Sequence, residues 1–224
     1  HFTMCPNFLF YHTTKNEIKN SPYPDEIICN SKMSKNILMK YGFPEELLKV
    51  GPALRYKSLF TNRITNACKK QWDIFCPLPL AIDQCFEVIG FLLSYLNKQK
   101  VNVCLKPHPL HNIEVLRSYI DRYACQENIS SLLTIETDLS LYEIFKLSKV
   151  VVGTGTSVLL EAACLKMPVI TRSRIASLNF NPLEYFPNIN HTSYSDREFS
   201  DKINYALSHY IAPNKFPEYD EDLR

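Results

Sequence analysis

The chain has 224 residues, 46% of them hydrophobic and 21% charged, with a formal net charge of +2. That composition is ordinary for a globular protein and long enough for one large domain, or a domain with part of another. The small net charge argues against a dedicated nucleic-acid binder, which carries a much stronger basic bias. Between Lys32 and Lys70, nine Lys/Arg face only Glu45 and Glu46. This stretch reads first as a solvated basic face, and second as an attraction for an anionic ligand or a membrane surface.

The eight cysteines (Cys5, Cys29, Cys68, Cys76, Cys85, Cys104, Cys125, Cys164) are scattered, with neither a CxxC nor a paired zinc spacing. Several lie in apolar runs, where a free thiol behaves as a small hydrophobe. The expectation is reduced core cysteines in a cytoplasmic protein. The longest apolar stretch, Val150 to Ile170, is broken by Glu161, Lys166 and a Gly-Thr-Gly turn. It therefore reads as strand, turn, helix and strand, and neither a signal peptide nor a transmembrane span is predicted. The chain opens on His1 without an initiator Met, which is read as a fragment of a longer protein.

In chain order, Phe8 to Tyr11 and Glu26 to Cys29 are short strand candidates, and Ser34 to Tyr41 is a helix ended at Gly42. These read as the remnant of a second α/β domain, joined onward through Val50-Gly-Pro-Ala-Leu-Arg-Tyr56. Asp73 to Leu80 is a strand closed by prolines. Asp83 to Asn97 is a helix capped by Asp83, with Phe86, Ile89, Leu93 and Leu96 as its apolar stripe. Val101 to Leu105 is a buried strand stopped by Pro107 and Pro109. Asn112 to Cys125 is a helix, Leu132 to Ile135 a strand and Ser140 to Leu147 a helix. Val150 to Val152 is a strand, Ser157 to Lys166 a helix and Val169 to Thr171 a strand. A loop rich in Asn and Pro, Asn179 to Thr192, leads to a last helix, Asp196 to Tyr210. Five alternations with apolar strands predict a Rossmann-like parallel sheet with helices on both faces. Ligands then bind at the strand C-terminal ends.

Two motifs sit just past predicted strand ends. In Val150-Val-Val-Gly-Thr-Gly-Thr-Ser-Val-Leu-Leu-Glu161, β-formers run into a small-residue turn that opens a helix. Such a turn (Gly153 to Ser157) can bring backbone N–H groups and hydroxyls to an anion, and the helix terminus adds about half a positive charge. Glu161 lies four residues after Ser157, on the same helix face, where it can take a sugar hydroxyl. In Lys106-Pro-His-Pro109 two prolines stiffen the loop that carries His108. An imidazole there can donate to a phosphate oxygen, and Lys106 can add a point charge. The bland readings are a satisfied loop histidine and a turn that merely lets a helix pack close. A dinucleotide fingerprint is disfavoured because its third Gly is replaced by Val158. There is no P-loop and no Gly-x-Ser-x-Gly elbow. His108 and His111 are three apart, but clustered carboxylates for a catalytic metal are lacking.

Together, Pro24-Asp-Glu-Ile-Ile-Cys-Asn30, Gly42-Phe-Pro44, Val50 to Tyr56, Lys106-Pro-His-Pro109, Gly155-Thr-Ser-Val-Leu-Leu-Glu-Ala-Ala163 and Pro168-Val-Ile170 carry a resemblance. Over about residues 24 to 210 the chain resembles the C-terminal half of GT-B glycosyltransferases. It is most similar to bacterial capsule Kdo transferases and sialyl- and polysialyltransferases, and more distantly to CDP-glycerol glycerophosphotransferases. The resemblance implies a donor-binding domain at 57–212, the tail of an acceptor-side domain at 1–56 and a C-terminal tail at 213–224. It implies that His108 binds the donor phosphate and stabilises the departing nucleotide. Gly155, Thr156 and Ser157 would hold the same phosphate, Glu161 the ribose, and Arg55 at the junction a phosphate or a salt bridge.

The implied partners are a nucleotide-sugar donor, CMP-linked, and a glycan or glycolipid acceptor, in surface polysaccharide synthesis. The implied location is the cytoplasm, at the inner face of the membrane, with neither cofactor nor metal and without nucleic acid. The general base in such enzymes belongs to the N-terminal domain. A GT-B nucleotide-sugar epimerase, with Asp83 or Glu136 as conceivable carboxylates, and a non-catalytic binding domain are the alternatives.

Overall fold

The structure is a computed structural model that describes residues 20, 24–29, 31–52, 59, 69–124, 127–173, 181–183 and 191–209. The strand candidate Phe8 to Tyr11, Arg55 and the tail from 213 lie outside the described residues. The chain divides into two compact units, His1–Thr61 and Asn62–Leu223.

In the first unit, β1 (Ile27–Cys29) and β2 (Leu48–Val50) pair in parallel around helix α1 (Lys32–Lys40). Ser31 caps α1 by accepting the Ser34 N–H at 3.0 Å. The helix ends as Gly42 predicts. Gly42 has φ 92°, with Gly42 N–H on Met39 O and Phe43 N–H on Leu38 O. That paired hydrogen bonding needs a left-handed residue, which glycine supplies without steric cost. β2 departs from expectation, since its three residues give too short a pattern to separate from a junction.

The second unit is a six-stranded, all-parallel sheet in the order β5-β4-β3-β6-β7-β8. Its strands are β3 (Trp72–Pro77), β4 (Val103–Lys106), β5 (Leu133–Ile135), β6 (Ser148–Gly153), β7 (Val169–Arg172) and β8 (His191–Ser193). The helices are α2 (Ile82–Leu96), α3 (Ile113–Tyr123), α4 (Glu127–Ser130), α5 (Leu141–Leu147), α6 (Val158–Cys164) and α7 (Asp196–Ser208). The chain lays strands outward from β3 to β5, then returns to place β6 on the other side of β3. That reversal is the topological switch point of a doubly wound α/β fold.

The apolar strands are explained by burial on both faces. Ile74 and Cys76 of β3 and Val150 and Val152 of β6 join Val88, Ile89 and Leu92 of α2, Leu116 of α3 and Phe199 and Ile203 of α7 in one core. On the opposite face Phe75 meets Phe145 of α5 edge-on, with ring centroids 5.4 Å apart. Each such side chain, fully removed from water, contributes about 1.5–3 kcal/mol.

Two further expectations are corrected. Asp83 is not the cap of α2; Ala81 occupies that position without a side-chain bond, and Asp83 lies in the first turn. Its carboxylate there still complements the helix dipole. The loop Asn179 to Thr192 also hides an edge strand, β8, whose His-Thr-Ser sequence has no apolar signal. Its Thr192 hydroxyl instead pairs with Thr171 at 2.8 Å, and Asn181 donates to both hydroxyls.

Candidate functional site

Three loops leave the C-terminal edge around the switch point: those following β3, β4 and β6. Because β4 and β6 flank β3, the loops after them start roughly 10 Å apart, two interstrand spacings. His108 and the Gly153–Ser157 turn therefore lie on the same rim of the sheet, on either side of the central strand.

The His108 loop is a four-residue turn whose order is set by hydrogen bonds at both histidines. The His111 N–H donates to His108 O at 2.9 Å, closing a turn with Pro109 and Leu110 at its corner. Proline at the first corner position presets φ for such a turn. His108 is half-buried, and its Nδ1 accepts the Leu110 N–H at 3.3 Å. In the neutral ring the proton is then on Nε2, which makes that atom a donor. His111 Nδ1 accepts the His108 N–H at 3.2 Å, and its Nε2 donates to Leu80 O at 3.0 Å. Downstream, Asn112 caps α3 through the Glu114 N–H at 2.9 Å.

Lys106 faces another way. Its ammonium donates to Thr137 O at 2.7 Å and Leu139 O at 2.8 Å, holding the loop between β5 and α5. Glu136 stabilises that same loop by accepting the Asp138 and Leu139 N–H groups at 2.8 and 3.0 Å. Both charged side chains thus act on loop backbone in the structure.

The turn after β6 has a packing component and a polar one. A Cβ on Gly153 would stand 3.1 Å from Leu159 Cδ2, so glycine here lets α6 close on β6. Neither Gly153 nor Gly155 has positive φ. Thr156 Oγ1 accepts the Val158 N–H at 3.4 Å and Thr156 O the Leu159 N–H at 3.1 Å. Ser157 is the N-cap residue of α6 in helical conformation, without a side-chain cap bond. Ser157 and Glu161 are both half-buried, one helical turn apart. The Thr154 Oγ1 is buried without a hydrogen-bond partner, a polar atom in this turn that the sequence reading did not single out.

Burial dominates the thiols. It pushes Cys85 and Cys104 up to about 12, helped by Asp83 and Glu136 respectively, and the Cys164 thiol to the same range. Cys85 Sγ donates to Pro79 O at 3.1 Å, so it stabilises the loop after β3. Among the described residues no group of three or more His, Cys, Asp or Glu is placed to hold a metal ion. Among them, too, no helix is long and apolar enough to cross a membrane.

The doubly wound sheet with its switch-point rim has counterparts among solved structures. The fold matches GT-B-type domains. The chain is similar to the UDP-GlcNAc 2-epimerase of Methanocaldococcus jannaschii in complex with UDP-GlcNAc and UDP, at 13% identity and a TM-score of 0.57. That likeness covers 89% of this chain and 59% of the epimerase. The UDP-N-acetylglucosamine 2-epimerase of Rickettsia bellii gives 12% identity and a TM-score of 0.58, over 88% of this chain and 56% of its own. A glycosyltransferase from Rickettsia africae gives 15% identity and a TM-score of 0.54, over 88% and 57%. The chain thus spans under three-fifths of the length of these relatives. No family model matches the sequence, and no curated protein does either. At such identities the likeness establishes the fold, one shared by glycosyltransferases and nucleotide-sugar epimerases.

Proposed function

We propose that this chain is the donor-binding portion of a glycosyltransferase that uses a nucleotide-activated sugar. The observation that carries the reading is the position of the His108 loop and the Gly153–Ser157 turn on the two strands flanking β3. Open α/β sheets bind ligands in the crevice outside that switch point. A phosphate in the crevice takes the His108 Nε2–H from one side and the Thr156 and Ser157 hydroxyls, with the backbone over Gly155, from the other. When the glycosidic bond to the donor phosphate breaks, these groups stabilise the charge that develops on the leaving nucleotide. Glu161 holds ribose hydroxyls. Lys106 shapes the adjacent loop through Thr137 and Leu139 and adds positive charge nearby.

In this reading residues 57–212 form the donor domain, 1–56 belong to an acceptor-side domain and 213–224 form a tail. The donor base is a pyrimidine: the motif resemblance points to cytidine, whereas the first epimerase was solved with uridine nucleotides. The acceptor is a surface glycan or glycolipid, met at the inner face of a membrane.

Thermal shift with CMP, CDP and UDP tests the reading. A nucleotide at about 100 times its Kd adds about 2.7 kcal/mol of stability. The absence of a shift with all three overturns it.

A second reading, a nucleotide-sugar epimerase, is favoured by the two epimerases among the structural relatives. Glu136 is a poor carboxylate for it, since its Oε1 already accepts two backbone N–H groups. Conversion of UDP-GlcNAc to its C2 epimer without an acceptor would establish this reading instead.

A further inference from the structure

We propose that His111 is a positioning residue that fixes the ring of His108 for phosphate binding by bridging the loops after β3 and β4. Its two ring nitrogens hold opposite roles. Nδ1 accepts the His108 N–H, whereas Nε2 donates to the carbonyl of Leu80, which can only accept. A single species, the neutral ring with its proton on Nε2, satisfies both bonds. His111 also returns its own N–H to His108 O, so the two residues are joined by a reciprocal pair of bonds. Cys85 reinforces the anchor from α2: its thiol lies 3.7 Å from His111 Nε2 and donates to Pro79 O, next to Leu80.

The consequence falls on His108. With its N–H held by the His111 ring and its O by the His111 N–H, each of the two peptide units flanking the His108 Cα is held by one hydrogen bond. The Leu110 N–H then reaches His108 Nδ1, and that bond leaves Nε2 as the protonated donor. Removing the His111 ring frees the His108 N–H, loosens the turn and lets the His108 ring exchange between tautomers. The bearing on catalysis rests on the reading of His108 as the phosphate ligand; the coupling between the two rings does not.

Long-range ¹H–¹⁵N spectra of the full chain measure this coupling without a ligand. In the wild type both rings should show the single Nε2–H tautomer. In His111→Ala the His108 ring nitrogens should move to values averaged between tautomers. In His111→Gln, whose amide can accept from His108 and donate to Leu80, they should return toward the wild-type values. Unchanged His108 ring signals in His111→Ala, or averaged ones in the wild type, overturn the proposal.

Titration with UDP and CMP supplies the functional arm. His111→Ala should weaken nucleotide binding about tenfold, the size of one lost well-placed hydrogen bond. In a His108→Ala background the same change should cost nothing further, because the effect passes through His108. A further loss in that background marks a general effect on the fold and also overturns the proposal. A wild type that binds neither nucleotide refutes the glycosyltransferase reading alone, and the ring spectra still decide the role of His111.

Discussion

Gly153 and Leu159 meet so closely that a Cβ on the glycine would stand 3.1 Å from Leu159 Cδ2. The contact joins the end of strand β6 to the first turn of α6, and so sets the height of the turn between them. Gly153→Val should destabilise the chain by about 1–3 kcal/mol through overpacking. Gly90, in the middle of α2, is the contrasting case. A Cβ there would meet Tyr119 Oη at 3.5 Å, an ordinary contact. Gly90→Ala should therefore stabilise by about 0.5–1 kcal/mol, the helix-interior cost of glycine. Urea unfolding of the two variants checks both signs.

The capping box of α5 gives a pH dependence. The Ser140 side chain and backbone N–H hold the Glu143 carboxylate below its usual range, with Lys146 adding a smaller pull. A lowered folded pKa stabilises the chain above the unfolded value of about 4.3 and loses that contribution as pH falls through the folded one. Glu143→Gln should thus be less stable than the wild type at pH 7, with the gap closing below about pH 4. Melting curves across that range check it, and a gap that persists at low pH contradicts it.

The thiols supply a third test. With Cys76, Cys85 and Cys104 buried and their thiolates strongly disfavoured, alkylation of the folded chain at pH 8 should leave these three unmodified. Peptide mapping should find them labelled only after unfolding. Rapid native labelling of Cys76 would contradict the close packing of β3 against α2.

Much of the sheet is legible in the sequence because β3, β4, β6 and β7 each bury an apolar run on both faces, with polar residues mostly towards the strand ends. β8 escapes for the opposite reason. It is a three-residue strand in which the Thr192 hydroxyl bonds to Thr171 and Asn181, and a polar residue satisfied in this way leaves no periodic apolar signal. At the site, the loop prolines and the small-residue turn locate the rim. The partners of Lys106 do not follow from its neighbours, because Thr137 and Leu139 reach it only once β4 and β5 pair. His111 is legible in hindsight: histidines three apart across a Pro-Leu corner can bond to each other as readily as to a metal.

In the proposed site one phosphate is held jointly by the His108 loop and the Gly153–Ser157 turn. An NMR titration with UDP and CMP measures that most directly, through the ring nitrogens of His108 and the amides of Gly155, Thr156 and Ser157. All four should move together along one binding curve, and His108→Ala should weaken the curve roughly 10- to 100-fold, as expected for a charge-assisted bond worth about 1.5–3 kcal/mol. Shifts at only one of the two loops, or binding that His108→Ala leaves unchanged, would contradict it.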